Sequence, residues 1–361
     1  MINRKKVISQ ERTQAINKFQ RDMKQKYGDE IVYNESAAKV ELYGGGNKTG
    51  SIAARLLNSD FSINSLRTNE ILLYDEWKSF DEAVIQAAQK RAVGIRDLMS
   101  RGLTYNTGTG LSKTVLAYQD ASDMNGAELT MDAISKTTKD RLDYDIKYLP
   151  LPIIHKDFSI SSRVLEESRN GNMPIDTTHA TLAAFKVMEK AEDILFNGAS
   201  AYTFGGGTIR GYTDHPNRLT ASLGTAWSSD TGENILTDVL AMKQDSIDNL
   251  HFGDWGLYVP TAYETSMDED FKANSDISTR ERLLKVKGIS AIEVSDQLSD
   301  GNVVLVQYSE DVVRVVNALP ITTVQWSTDG GFMVHFKILM ILVPQIRTKQ
   351  DNKIGLVHYS V

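Results

Sequence analysis

Apolar residues recur at every third or fourth position in two long stretches of the chain, which is the spacing of one face of a helix. The first predicted helix covers Asp75–Arg101 and ends at Gly102. The second covers Ile175–Asn197, with Asp176 as its cap and Gly198 as its end. Both stretches are long enough to pack along a large core, and we expect them to organise the fold.

The segment between these helices has a different pattern, because it is polar and rich in Thr, Asp and Gly. Two strand-like pieces, Thr114–Tyr118 and Asp145–Leu149, flank its most polar part. They predict a long projecting hairpin with too few apolar residues to form a core of its own, so surface from another chain must hold it. Bending would fall at the glycines Gly102, Gly108, Gly110 and Gly126.

After the second helix, helix and strand patterns alternate, which is typical of a compact α/β unit. The predicted helices are Asn234–Leu250 and Arg280–Lys287. The predicted strands are Trp255–Pro260, Ile289–Val294 and Asn302–Tyr308, followed by return strands at Val334–Val343 and Ile354–Tyr359.

The amino-terminal end is predicted to be a basic arm in front of an acidic body. Residues 1–26 hold eight basic and two acidic residues, a net charge of +6, within a chain of net charge −7. Scattered apolar residues over Ile2–Tyr27 predict a surface-bound helix, and the glycines in Tyr43–Ser51 predict a flexible joint. Such an arm can attract nucleic acid, although a solvated amphipathic helix is the commoner explanation of this pattern.

Several classes of chemistry lack support in the sequence. With no cysteine in the chain, disulfides and thiolate sites are excluded. No apolar run has the length of a membrane span, and the first residues lack the apolar stretch of a secretory signal. The GGGNKT stretch has Asn47 where a phosphate loop needs Gly, and Gly205–Gly207 has Arg210 where a dinucleotide fingerprint needs Gly, so a plain turn is expected there.

The histidines stand singly, without the spacings that place two imidazoles on one metal ion. We expect all of them to be structural: His155, His179, His215, His251, His335 and His358. No GxSxG elbow is present either. The sequence therefore predicts no catalytic, cofactor-binding or metal-binding residue and no cofactor. An enzyme whose site is built from distant residues stays open as an alternative.

Three stretches, in this order, resemble the major capsid protein of tailed bacteriophages in its encapsulin-like branch. They are Asn64–Trp77, Leu149–Arg163, and Pro174–Thr178 leading through Phe196-Asn-Gly198 to Ile209–Pro216. The resemblance covers roughly residues 60–361 and implies an α+β fold. Its parts would be a peripheral domain with a long spine helix and a β-sheet, an axial α/β domain, an extended β-hairpin loop and an N-terminal arm.

Set onto this chain, the resemblance implies six segments. They are an N-terminal arm (1–74), an N-terminal helix (75–101), an extended-loop region (102–158), a peripheral domain with the spine helix (159–226), an axial domain (227–318) and peripheral return strands (319–361). Some family members link subunits through a lysine–asparagine bond near the extended loop. Lys113, Lys136 and Lys139 lie in that region, but none has an identifiable partner, so crosslinking is not predicted.

The function implied by the resemblance is structural and not enzymatic. It is a capsid protein that self-assembles into hexamers and pentamers of an icosahedral head shell, in the virion, after assembly in the host bacterial cytoplasm. Its partners would be copies of itself, scaffolding, portal or decoration proteins, and packaged DNA held without sequence specificity, with no membrane. The alternatives are an encapsulin shell enclosing cargo enzymes and a nucleic-acid-binding module that uses the arm. Some 70 residues before the first helix favour the phage capsid, because encapsulin chains usually begin close to that helix.

Overall fold

The computed structural model describes residues 30–34, 39–43, 81–86, 92–108, 110–121, 126–127, 129, 131, 144–170, 177–273, 276–348 and 352–361. The chain divides into two units, residues 1–69 and 70–361. In the first unit, strands β1 (Glu30–Asn34) and β2 (Lys39–Tyr43) pair antiparallel. The helix predicted over Ile2–Tyr27 and the joint predicted at Tyr43–Ser51 lie mostly outside the described residues.

The second unit begins with helical residues 81–86 and helix α1 (Val93–Ser100). We expected one continuous helix over 75–101, and this expectation is wrong at Ala92, whose φ of −93° and ψ of 89° are not helical. The N–H groups of Gly94 and Ile95, in the first turn of α1, donate to the carboxylate of Glu192 on another helix. Gly102 follows with a φ of 75°, which confirms it as the stop.

A four-stranded sheet has the order β3–β13–β14–β6. Its strands are β3 (Thr104–Asn106), β6 (Ile154–Ser161), β13 (Val313–Thr328) and β14 (Met333–Ile346). Strands β13 and β14 form a long antiparallel ribbon, and β6 pairs antiparallel with β14. Helix α2 (Ser162–Asn170) places Leu165 against Val334 and Phe336 of this sheet.

The predicted second helix is confirmed as α3 (Thr178–Asn197), which packs along β6 and β14. Its buried positions repeat every three or four residues, from Ala180 to Phe196, as the sequence pattern required. Gly198, with a φ of 73°, ends the helix. Thr177 occupies the cap position without a side-chain bond, and the predicted cap Asp176 lies outside the described residues.

A five-stranded sheet of order β11–β10–β12–β15–β9 forms the α/β unit. Its strands are β9 (Leu219–Ser222), β10 (Trp255–Pro260), β11 (Ile289–Ser295), β12 (Asn302–Gln307) and β15 (Leu356–Ser360). Helices α4 (Gly232–Asp248), α5 (Glu264–Asp268) and α6 (Thr279–Leu284) complete the unit. One core cluster joins Val239 and Met242 of α4 to Leu257, Leu305 and Val357 of the sheet.

The expected segment boundaries differ from this topology in three places. Strand β15 was expected among the peripheral return strands, but it pairs with β12 and β9 in the five-stranded sheet. Strand β9 was expected outside the α/β unit, and β6 was expected in the extended loop up to residue 158, although β6 is an edge strand of the four-stranded sheet. These strands join sheets through partners far away in sequence, which no local pattern records.

Candidate assembly surface

The predicted projecting hairpin is present, formed by β4 (Val115–Ala121) and β5 (Tyr144–Pro150). The two strands pair antiparallel, with Leu116 opposite Leu149 at the base, where both side chains are buried. Beyond this base pair the described side chains of the hairpin are half-buried or exposed. The base is therefore the part of the described hairpin that the rest of the chain covers most.

One face of this hairpin is apolar and exposed. Tyr144, Ile146 and Tyr148 alternate along β5 and are 60%, 50% and 43% exposed. Residues two apart in a strand point to the same face, so these three side chains form one row. The positions opposite Ile146 and Tyr148 on β4 are Gln119 and Ala117, both exposed. A row of exposed apolar side chains on a two-stranded ribbon is the kind of surface that a partner covers.

The hairpin rests on a glycine turn that the sequence predicted only as a plain turn. This turn joins β7 (Ala199–Phe204) to β8 (Gly207–Ile209), which pair antiparallel. A Cβ at Gly207 would overlap the carbonyl oxygen of Tyr148, and a Cβ at Gly205 would lie 2.6 Å from a methyl of Val115. Gly205 and Gly206 also have φ of 60° and 82°. The glycines therefore let the turn touch the backbone of β5, which fixes where the hairpin leaves the body.

Strand β7 carries a second apolar row beside the turn. Tyr202 and Phe204 lie two positions apart and are 47% and 50% exposed. Phe204 pairs with Gly207, and Gly207 lies against the backbone of Tyr148 near the base of the hairpin. We call Tyr144, Ile146, Tyr148, Tyr202 and Phe204 the assembly patch.

Signals for the patch were present in the sequence but were not used. The alternation Tyr-x-Ile-x-Tyr at 144–148 is a strand with one apolar face, and Tyr-x-Phe at 202–204 repeats it. The sequence predicts a strand at 145–149 with no apolar face assigned to it, and no strand at 199–204. Only the tertiary structure shows that both rows stay about half exposed in the described part of the chain.

The histidines occupy ordinary structural environments where the structure describes them. Arg218 Nε donates to His358 Nδ1 (3.1 Å), so His358 carries its proton on Nε2 and donates it to Asn302 Oδ1 (2.9 Å). Burial, reinforced by Arg218, lowers the pKa of His358 to about 4. Burial together with Arg210, Lys147 and Arg218 lowers the pKa of His215 to about 4 as well. Both imidazoles are neutral near pH 7.

Of the other four histidines, His155 and His335 lie on the four-stranded sheet, His179 on α3 and His251 in the loop before β10. His179 stacks on Phe158 and His335 on Trp326, His155 lies 3.5 Å from Asp157, and His251 Nδ1 bonds to Gln307 Oε1 (2.7 Å). Among the described residues, no group of three or more His, Asp or Glu side chains is placed to hold a metal ion. Within the same part of the chain, no helix is long and apolar enough to cross a membrane. Lys136 and Lys139 lie outside the described residues, and Lys113 is described.

Solved structures with the same fold include a virus-like particle and a phage capsid. The chain is similar to the virus-like particle from Pyrococcus furiosus (TM-score 0.58, 16% identity, 80% of this chain and 99% of that chain). It is also similar to the capsid of Myoviridae Phage XM1 (TM-score 0.58, 12% identity, 74% and 92%) and to a chain of Mycobacterium phage Cain (TM-score 0.54, 10% identity, 84% and 98%). The protein therefore has the α+β shell-forming fold of phage capsids and encapsulins, which confirms the resemblance and the fold class drawn from the sequence.

Sequence comparison agrees with this fold. Residues 65–358 match the family described as a family of unknown function, DUF6260, and the chain belongs to that family. A curated protein similar to this chain is the type 1 encapsulin shell protein EncA of Myxococcus xanthus, with 28% identity over 158 residues. That alignment covers 44% of this chain and 51% of EncA, so the chain spans about half the length of this relative. The similar proteins are structural shell proteins and not enzymes.

Proposed function

We propose that this chain is the major capsid protein of a tailed phage, which assembles with copies of itself into hexamers and pentamers of an icosahedral head shell around genomic DNA. The observation that carries the proposal is the assembly patch. Its hairpin row lies beside the glycine turn at residues 205–207 and stays 43% to 60% exposed in the described structure. In a shell built from identical subunits, a neighbouring copy of the chain lies at the same position next to every subunit and can cover this patch.

The parts of the family fold correspond to the observed sheets in this proposal. Helix α3 and the four-stranded sheet serve as the peripheral domain, and the five-stranded unit serves as the axial domain around the symmetry axes. The β4–β5 hairpin is the extended loop that overlaps a neighbour. Scaffolding, portal or decoration proteins would act during assembly, which takes place in the host cytoplasm before the protein becomes part of the virion.

Covering the hairpin row is worth enough free energy to matter for assembly. Tyr144, Ile146 and Tyr148 together leave on the order of 300 Å² exposed, from their exposed fractions and typical side-chain areas. At about 25 cal/mol per Å² of apolar area, burial of this area against a neighbour would contribute up to about 7 kcal/mol per subunit. A shell repeats this contact in every subunit, so a single change in the row affects the whole particle.

The test compares two variants with the unaltered chain. Ile146→Asp places a charge in the middle of the row, whereas Leu240→Asp makes the same change at an exposed position on α4 (45% exposed), outside the patch. We expect electron microscopy and size-exclusion chromatography to show closed particles for the unaltered chain and for Leu240→Asp. Ile146→Asp is expected to stay as unassembled subunits. Normal particles from Ile146→Asp would show that the patch is not an assembly contact.

An encapsulin shell around cargo enzymes is the second candidate. It is favoured by the similarity to EncA, whose name describes a shell protein of that class. The contents of particles purified from the source cells distinguish the two. Nuclease-protected DNA inside the particle supports the capsid, and an enclosed enzyme without DNA supports the encapsulin.

A further inference from the structure

Helix α4 ends on a leucine in a backbone conformation that favours glycine. Leu250 has a φ of 63°, its N–H donates to the Ile247 carbonyl (2.9 Å), and the next N–H along the chain donates to the Ser246 carbonyl (3.0 Å). These two bonds close a Schellman motif, in which the left-handed residue is usually glycine. At the ends of α1 and α3 the left-handed residue is a glycine, Gly102 or Gly198. A bulky side chain at position 250 therefore costs free energy in the folded chain.

Burial does not offset this cost, because the side chain of Leu250 is 59% exposed. Phe252, two residues further on, is 61% exposed. The backbone that carries them is held in place, since Gln307 Nε2 donates to the Phe252 carbonyl and Gln307 Oε1 bonds to the buried His251 ring (2.7 Å). Two exposed apolar side chains on a fixed and strained backbone are typical of a preorganised contact surface.

One side of these two apolar side chains is basic. Lys285 and Lys287 follow α6 and are both exposed. Lys243 Nζ of α4 donates to the Lys287 carbonyl oxygen (2.7 Å), and the Trp255 N–H donates to the Gly288 carbonyl oxygen (2.7 Å). These bonds place the end of α6 beside the start of β10, next to the loop that carries Phe252.

The other side is acidic, with Asp254, Glu310 and Asp311 all exposed. The Tyr308 N–H donates to the Asp254 carbonyl oxygen (2.9 Å), which joins the loop before β10 to the turn after β12. Strand β10 lies between β11 and β12, so the basic and acidic sides are two strand spacings, about 10 Å, apart. We call the following seven residues the end patch: Leu250, Phe252, Asp254, Lys285, Lys287, Glu310 and Asp311.

We propose that the end patch is a contact between two copies of this chain related by a two-fold axis. A surface with opposite charges on the two sides of an apolar centre is complementary to itself. A half-turn places the lysines of each copy over the carboxylates of the other and brings the apolar side chains together near the axis. This complementarity is contained in one sequence, which favours a second copy over an unrelated protein as the partner.

The contact rests on the proposed function, because its apolar area is small. Leu250 and Phe252 leave on the order of 200 Å² exposed in each copy, from their exposed fractions and typical side-chain areas. A stable contact between two proteins usually buries about 1,200 Å² or more in total. The end patch therefore adds to the hairpin contact within a shell and does not sustain a dimer by itself.

Leu250→Asn separates the contact from the stability of the subunit. Asparagine tolerates the left-handed conformation, so the unassembled chain should unfold at about the same temperature as the unaltered chain. The change removes apolar contact from both copies at once. The subunit concentration at which half of the chain assembles, measured by sedimentation velocity, should therefore rise roughly 10-fold or more. An unchanged concentration would overturn the contact.

Charge reversal tests the pairing between the two sides. Lys285→Glu together with Lys287→Glu should raise the half-assembly concentration roughly 10-fold or more at low salt, because carboxylates then face carboxylates. Glu310→Lys together with Asp311→Lys should have the same effect. All four changes in one chain restore the complementarity and should return the concentration to within a few-fold of its original value. High salt should reduce each of these differences by screening.

Lys186→Glu together with Lys272→Glu is the matched control. Both lysines are exposed, lie outside the end patch and pair with a carboxylate of their own chain, so assembly should not change. Equal assembly of this control and the Lys285, Lys287 variant would overturn the contact, and so would a combined variant as weak as its two parents. Equal yields of closed particles from all variants would leave the shell in place without this contact. An unaltered chain that forms no particles would refute the shell and the contact together.

Discussion

One added methyl group can test whether the glycine turn between β7 and β8 fixes the position of the hairpin. Gly207→Ala places a Cβ in overlap with the carbonyl oxygen of Tyr148, 2.6 Å from its carbonyl carbon and 3.0 Å from Pro150 Cδ. All three atoms belong to the backbone or to a proline ring, so none can rotate away. Because Gly207 has no positive φ, its own backbone conformation accepts alanine. The strain therefore falls entirely on the contact with β5.

The size of the effect follows from this contact. Forcing one extra carbon into a packed site costs about 1–3 kcal/mol, and a rigid neighbour puts the cost at the upper end, about 2–3 kcal/mol. Residues 144–150 should then exchange their amide hydrogens roughly 30- to 150-fold faster, as measured by mass spectrometry. The assembly patch would lose its fixed position, so particle yield should fall as well.

Gly206→Ala is the matched control. The nearest atom to a Cβ at Gly206 is Tyr148 Cδ2 at 3.8 Å, an ordinary contact. Its φ of 82° costs about 1–2 kcal/mol for alanine, but that cost strains the turn and leaves β5 in place. If the amide hydrogens of β5 exchange as slowly in the Gly207→Ala variant as in the unaltered chain, the turn does not fix the position of the hairpin.

Three further predictions concern helix α1, the five-stranded sheet and the arm. Tyr308→Phe removes a hydroxyl that donates to Asp97 and should lower the free energy of unfolding by about 1–2 kcal/mol in a denaturant titration, and no loss would mean that the bond is not formed. Because the pKa of His358 is lowered to about 4, the neutral imidazole stabilises the fold above pH 6.5, and this stabilisation is lost as the pH falls towards 4. His358→Gln keeps one acceptor and one donor, so the free energy of unfolding should depend less on pH in this range. An unchanged pH profile would contradict the lowered pKa of His358. Deleting residues 2–26 removes a net charge of +6 and should reduce the nucleic acid retained by particles, whereas unchanged packaging would show that the arm does not contact DNA.

The repeating patterns in the sequence determined the elements themselves. The apolar stripe of α3 and the end of that helix at Gly198 follow from spacing and from the conformational freedom of glycine, and both are found as predicted. The strands β10 and β12 and the hairpin β4–β5 were also recognisable, since strand propensity and turn residues act over a few neighbouring positions. The shell-forming fold followed from the resemblance of three sequence stretches to the capsid proteins of tailed phages.

Tertiary contacts alone decided which sheet each strand joins and which side chains stay exposed on each strand. Strand β15 lies in the five-stranded sheet because it pairs with β12 and β9, which precede it by roughly 50 and 140 residues along the chain. Glu192 looked like one acidic residue in a helical stripe until the first turn of α1 was placed against it. Local sequence fixes backbone conformation through short-range sterics and periodicity, whereas pairing, burial and the pKa of a carboxyl depend on atoms that only folding brings together.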